Sequence, residues 1–156
     1  MLLKYLKNIL TPLIQEEIKN NMFEVKQQMM KIYSYHGDIN KLSISENAVV
    51  NNALFNLASG KIIIEDYAFF GHNVCLLTGN HDFNEKGKER MLAVPREGRD
   101  IIIRKGVWLA SNVTIIGPCE IGENSVIGAC SLVKGNIPAN TLYAGVPAKY
   151  IKNIED

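Results

Sequence analysis

The 156-residue chain carries almost no net charge, a single tryptophan and only three cysteines. Its 17 Lys and Arg against 16 Asp and Glu leave +1, which gives no electrostatic case for a nucleic-acid partner, since phosphate binding needs a strongly basic face. The cysteines, Cys75, Cys119 and Cys130, are odd in number, and their apolar surroundings read as reduced thiols packed into a cytoplasmic protein. No His, Cys, Asp or Glu spacing matches a metal site, so no metal is expected. Although 47% of the residues are apolar, no run of eighteen is present, which points to one soluble domain rather than a membrane span. The start, Met1 to Lys7, lacks both a sustained apolar core and a small-residue cleavage site, and is not read as a signal peptide.

What the chain does have is a period of six. Ile103, Leu109, Ile115, Ile121, Ile127 and Val133 recur at that interval, and two places before each lies a small or aliphatic residue: Ile101, Val107, Val113, Cys119, Ser125, Ser131. A helix repeats at three and four and a half-buried strand at two, so neither explains the pattern. Hexads of one short strand plus a turn build a parallel β-helix, in which three hexads close a triangular coil. The same register runs through Ile64, Phe70 and Leu76, and through Ile44, Val50 and Asn56, with two extra residues at Ala58 to Lys61.

Between Leu76 and Ile103 the period stops, and residues 78–100 read as a loop projecting from the solenoid, of a length that is usually functional. Ahead of the solenoid, Leu2, Leu6, Ile9 and Leu10 mark a short amphipathic helix ended by Thr11-Pro12. Ile18, Met22, Val25, Met29 and Ile32 mark a second, ending near Tyr33. The expected layout is a helical segment over 1–40, a β-helix over 41–146 and a short helical tail over 147–156, the helices and tail covering the open strand edges.

Three stretches carry a family likeness: Val107-Trp108-Leu109-Ala110-Ser111-Asn112-Val113-Thr114-Ile115, then Ile121 to Ala129, then Ala144-Gly145-Val146-Pro147-Ala148-Lys149. They resemble the hexapeptide acyltransferases, and among these the bacterial sugar O-acetyltransferases, over roughly the last two thirds of the chain. The resemblance implies a left-handed parallel β-helix, acetyl-CoA as acyl donor, a sugar or saccharide acceptor, and a homotrimer with its active sites between subunits.

His81, in Thr78-Gly79-Asn80-His81-Asp82, is the candidate general base, because acyl transfer to a hydroxyl needs a base working near neutral pH and the family carries a histidine at the start of this loop. Asp82 is a candidate either for orienting that imidazole or for touching the acceptor. Asn56 matches a family asparagine near the sugar, and equally suits a coil corner. By the same resemblance the Ser111 backbone amide is the oxyanion donor, and Trp108, Ala110, Ser111, Ala129 and Pro147 line the pantetheine arm. Trp108 also suits packing on a neighbouring coil. Lys134, Lys149 and Lys152 are candidates for the CoA phosphates, although Lys134 stands one place earlier than in the common Thr-Lys-Asp order and the other two replace frequent arginines. His72 reads as a structural corner residue and His36 receives no role. With the cysteines assigned to packing, direct transfer is expected rather than a covalent acyl-enzyme.

Two other readings remain open from the sequence. One is N-acetylation of a nucleotide-linked amino sugar. The other is a non-catalytic scaffold, or a protein held on a membrane surface by an amphipathic segment over Met1 to Leu10.

Overall fold

A computed structural model describes residues 10–22 and 32–155. The chain divides into a unit of residues 1–32 and a unit of residues 33–156. In the first, residues 10–22 form helix α1 without a break at Thr11-Pro12, since the fixed φ of proline is itself helical. The helix expected over residues 2–9 and the continuation of the second over 23–31 lie outside the described residues.

The second unit is a parallel β-helix of three faces. The first face stacks β1 (Ser34–Gly37), β3 (Leu54–Leu57), β6 (Cys75–Leu77), β9 (Thr114–Ile116) and β12 (Leu132–Lys134). The second stacks β2 (Leu42–Ile44), β4 (Ile62–Ile64), β7 (Ile101–Ile103) and β10 (Cys119–Ile121). The third stacks β5 (Phe69–Phe70), β8 (Trp108–Leu109), β11 (Val126–Ile127), β13 (Thr141–Ala144) and β14 (Lys149–Asn153). Every strand but β14 pairs in parallel with its equivalent one coil away, as Ile62, Ile101 and Cys119 do.

The six-residue series forms the interior. Ile103, Leu109, Ile115, Ile121 and Ile127 are fully buried, and so are the residues two places before four of them, Ile101, Val107, Val113 and Ser125. Each large buried aliphatic side chain contributes about 1.5 to 3 kcal/mol. Where the chain turns between faces, left-handed backbone is required. At the corner between the third and first faces Asn73, Asn112 and Cys130 have φ of 57°, 60° and 58°, a region asparagine tolerates better than most residues. At the corner between the second and third faces, Arg104 spans three coils by donating to Glu65 at 2.7 Å and Glu120 at 2.8 Å. The two carboxylates, Glu120 first, push the already high guanidinium pKa further up, but the exposure of this clamp leaves it screened by solvent.

Four expectations need correction. The solenoid begins at Ser34 rather than at residue 41: β1 pairs with β3, and Tyr33 packs edge-on against Phe55 with ring centroids 5.3 Å apart. In the first coil the interior residue is Phe55, fully buried, and Asn56 faces outward, because the step from Val50 is five residues rather than six. The tail is not helical. After Pro147 the chain reverses, and β14 runs antiparallel to β13, so a strand, not a helix, pairs with that edge. Of the cysteines only Cys119 is buried in the core, where desolvation and then Glu120 push its thiol up to about 12. Cys130 is exposed at a corner and Cys75 half-buried on an outer face, since the inward hexad positions are their neighbours Ser131 and Leu76.

Candidate active site

The loop of residues 78–100 is pinned at both ends to one turn of the coil beneath it. Buried Thr78 donates through Oγ1 to the Asn56 carbonyl at 2.7 Å and accepts from the Ser59 amide at 3.1 Å. The returning strand closes the base: Arg99 Nε donates to the Thr78 carbonyl at 2.8 Å, and its amide donates to Ser59 at 3.2 Å. Asn56 Oδ1 accepts from the amides of Ala58 (3.0 Å) and Gly79 (3.1 Å). A Cβ at residue 79 would sit 2.6 Å from that oxygen, so a side chain here would push the Asn56 amide out of its bonds to the loop.

Two residues later comes His81. Its Nδ1 lies 2.9 Å from the carbonyl oxygen of Arg90, at the end of helix α2 (Gly87–Leu92). A carbonyl only accepts, so Nδ1 carries the hydrogen and the Nε2 of neutral His81 keeps its lone pair. Asp82 takes no part in this. Its Oδ1 accepts from Asn84 N at 2.9 Å and Asn84 Nδ2 at 3.1 Å, and its amide donates to Ala93 at 3.0 Å. The orienting group is therefore the Arg90 carbonyl, which sequence reasoning cannot single out because every residue has one. His81 lines a cleft of about 540 Å³ together with Asn56, Gly79, His36, Lys41 and Arg96.

The residues matched to the pantetheine arm gather elsewhere, along the corner between the third and first faces. Ala110 and Ser111 lie at this corner in one coil, Ala129 in the next, and the Gly145 to Ala148 turn with Pro147 closes the column. Ser111 Oγ accepts from the His72 amide at 3.1 Å, and the Ser111 carbonyl accepts from Cys130 at 3.0 Å. The Ser111 amide has no hydrogen-bond partner among the described residues. Gly71 leaves it open: a Cβ there would come within 2.5 Å of the Ser111 nitrogen. A free amide beside a position where a side chain is excluded fits an extended thioester arm lying against the backbone.

Trp108 points outward from the third face and stacks on Phe69, 5.7 Å between centroids at 12°, so its packing on a neighbouring coil is real. It also borders a cavity of about 700 Å³ shared with Tyr150 and Lys152. Lys149, exposed, pairs in register with Ala144 beside the same column. Lys134 does not join them. It aligns with Ile116 and Leu77 at the far end of the first face, on the His81 side.

The single chain thus holds His81 and Ser111 apart. The Gly71 to Asn73 corner precedes β6 and the His81 loop follows it, and the five extended steps from Asn73 to Thr78 span roughly 16 Å at about 3.3 Å each. A base and an oxyanion donor serving one reacting carbonyl must each come within about 3 Å of it.

Residues 100–135 match the bacterial transferase hexapeptide (six repeats) family, and they coincide with the coils just described. The chain is a hexapeptide-repeat protein of this transferase family. It is 35% identical over 128 residues to the galactoside O-acetyltransferase of Escherichia coli K12, an alignment covering 80% of this chain and 58% of that one. It is 33% identical over 114 residues to an E. coli K12 protein named for lipopolysaccharide biosynthesis as an O-acetyl transferase, covering 69% of this chain and 58% of that one. The hexapeptide chain therefore spans little more than half the length of these relatives. Among solved structures it is similar to a maltose O-acetyltransferase from Clostridium difficile 630, with a TM-score of 0.55 and 29% identity over 81% of this chain and 68% of that one.

Sequence reasoning missed His36 and Lys41 as wall residues of the His81 cleft, and Gly71 as the residue that keeps Ser111 accessible. Arg96 belongs to the charged residues of the loop, which the sequence offers either as a cover for the acceptor or, with the edge, as an ordinary solvated loop. Gly71 had a signal, since it opens the corner one coil below Ala110. His36 and Lys41 had none: only the pairing of β1 with β3 and the return of the loop bring residues 36, 41 and 96 together.

Proposed function

We propose that this hexapeptide-repeat protein transfers the acetyl group of acetyl-CoA to a hydroxyl of a sugar, in the cytoplasm, as a step in building a surface polysaccharide or lipopolysaccharide saccharide. The observation that carries this is His81, held through Nδ1 by the Arg90 carbonyl with Nε2 unbonded among the described residues, at a cleft. The similarity to galactoside, maltose and lipopolysaccharide O-acetyltransferases supports the acyl group and acceptor class, and three free cysteines suit a reducing compartment.

In this reading Nε2 removes the proton of the acceptor hydroxyl as its oxygen attacks the thioester carbonyl. The oxyanion is met by the Ser111 amide. Collapse breaks the carbon–sulfur bond, and the imidazolium returns its proton to the departing CoA thiolate, so the enzyme ends neutral as it began. Ala110, Ala129 and Pro147 border the pantetheine arm, Trp108 flanks it, and Lys149 and Lys152 meet the phosphates. Lys134 belongs by position with the acceptor side. Because strand length separates His81 from Ser111, each site combines the loop of one subunit with the Ser111 corner of another, in a trimer holding three such sites.

The test is acceptor-dependent release of free thiol from acetyl-CoA across a panel of neutral and acidic sugars, with the product analysed for an ester. The proposal expects thiol release matched one-to-one by a sugar ester labile to hydroxylamine. Thiol release with no acceptor dependence, or an amide product alone, contradicts it.

A further inference from the structure

We infer that the acceptor carries an anionic group, a carboxylate or a phosphate, and that His36, Lys41 and Arg96 form its subsite in the His81 cleft; this rests on the acetyl-transfer reading above. The chain as a whole is nearly neutral at +1, yet the cleft wall is not. Lys41 and Arg96 line it with the imidazoles of His36 and His81, against a single carboxylate, Asp38. That carboxylate is engaged: its Oδ1 accepts from Asn40 N and Asn40 Nδ2, both at 3.0 Å, where it caps the short turn Ile39–Lys41.

The cations are placed by the fold. Lys41 Nζ donates to the Arg96 carbonyl at 3.0 Å, which ties the turn after β1 to the end of the loop and leaves two ammonium hydrogens uncommitted. The side chains of Arg96 and His36 have no hydrogen-bond partner among the described residues, and neither forms an ion pair there. His36 sits in register with Asn56 on the adjacent strand, so the wall begins one strand away from the amide that anchors the loop.

Donor inventory decides the ligand class. A neutral sugar offers hydroxyls that both give and take hydrogen bonds, and its sites need acceptors as well as donors. Lys and Arg have no acceptor capacity, and the guanidinium fork matches the paired oxygens of a carboxylate or phosphate. A wall with two permanent cations, two imidazoles and one occupied carboxylate suits an oxygen-rich anion better than a neutral ring.

The experiment uses matched acceptors with the intact protein: a neutral methyl glycoside, the corresponding uronate, the sugar 1-phosphate and the nucleotide-diphosphate sugar. Each is measured for kcat/KM with saturating acetyl-CoA and for binding by calorimetry. At least one anionic member should exceed its neutral counterpart by about tenfold or more in both, as charge-assisted hydrogen bonds do. The gap should shrink with added salt and in Arg96→Gln and Lys41→Gln, with Arg96→Lys intermediate. The uronate and phosphate arms separate the two sources of negative charge. Neutral glycosides that bind and react as well as every anionic partner overturn the inference. If no acceptor reacts, acetyl transfer itself fails, while calorimetry still decides whether the cleft prefers an anion.

Discussion

Replacing His81 with alanine should lower kcat by about 10² to 10⁴, the usual contribution of a positioned general base, while the β-helix remains folded. The imidazole is exposed and, among the described residues, makes one hydrogen bond, to the Arg90 carbonyl at 2.9 Å, and it lies outside the buried core. Two variants separate chemistry from positioning. His81→Asn keeps an N–H in reach of the Arg90 carbonyl but has no base, so it should be as inactive as His81→Ala even with the loop held in place. If His81→Asn retains activity within threefold of the natural chain, the histidine only positions the loop.

The second large effect is expected at Gly71, a residue that touches neither sugar nor base. In Gly71→Ala the new methyl would start 2.5 Å from both the nitrogen and the Oγ of Ser111 and 2.9 Å from its Cα. The corner must give way, and the Ser111 amide is covered or turned. Loss of one oxyanion donor typically costs 10² to 10³ in kcat, so kcat should fall by about that factor while the KM of the acceptor changes little. Circular dichroism should show the sheet content retained, because buried Phe70 and Leu109 and the Phe69–Trp108 stack still hold β5 against β8, although the Gly71 amide also donates to the Leu109 carbonyl at 2.7 Å. A wild-type kcat in a folded Gly71→Ala chain removes the Ser111 amide from the mechanism.

The interior of the solenoid was legible because its chemistry is repetitive. A buried aliphatic every six residues has one architectural meaning, and Ile103, Leu109, Ile115, Ile121 and Ile127 all proved fully buried. The loop was legible as the place where that repetition stops. The two ends were not. Ser34 to Gly37 contains no aliphatic residue, since its role is backbone pairing with β3, and backbone pairing leaves no compositional trace. Lys149 to Asn153 pairs as an antiparallel edge strand, outside the hexad register altogether. The one-residue deletion between Val50 and Phe55 shifted Asn56 from an interior corner to the cleft, where its amide oxygen holds Gly79. Cys130 was read one place out of register, although the asparagines at the same corner in two earlier coils, Asn73 and Asn112, marked the left-handed position.

The central claim is that one active site is assembled from two chains, the base from the His81 loop of one and the donor from the Ser111 corner of another. It is tested most directly by mixing His81→Ala and Gly71→Ala chains under conditions of subunit exchange, each having been shown by light scattering to assemble normally alone. With random 1:1 exchange, about one interface in four combines an intact histidine with an intact corner, so activity should rise from near zero to about a quarter of the natural protein's. Mixed oligomers that form fully and show no recovery would contradict the account, because base and donor would then have to come from the same chain.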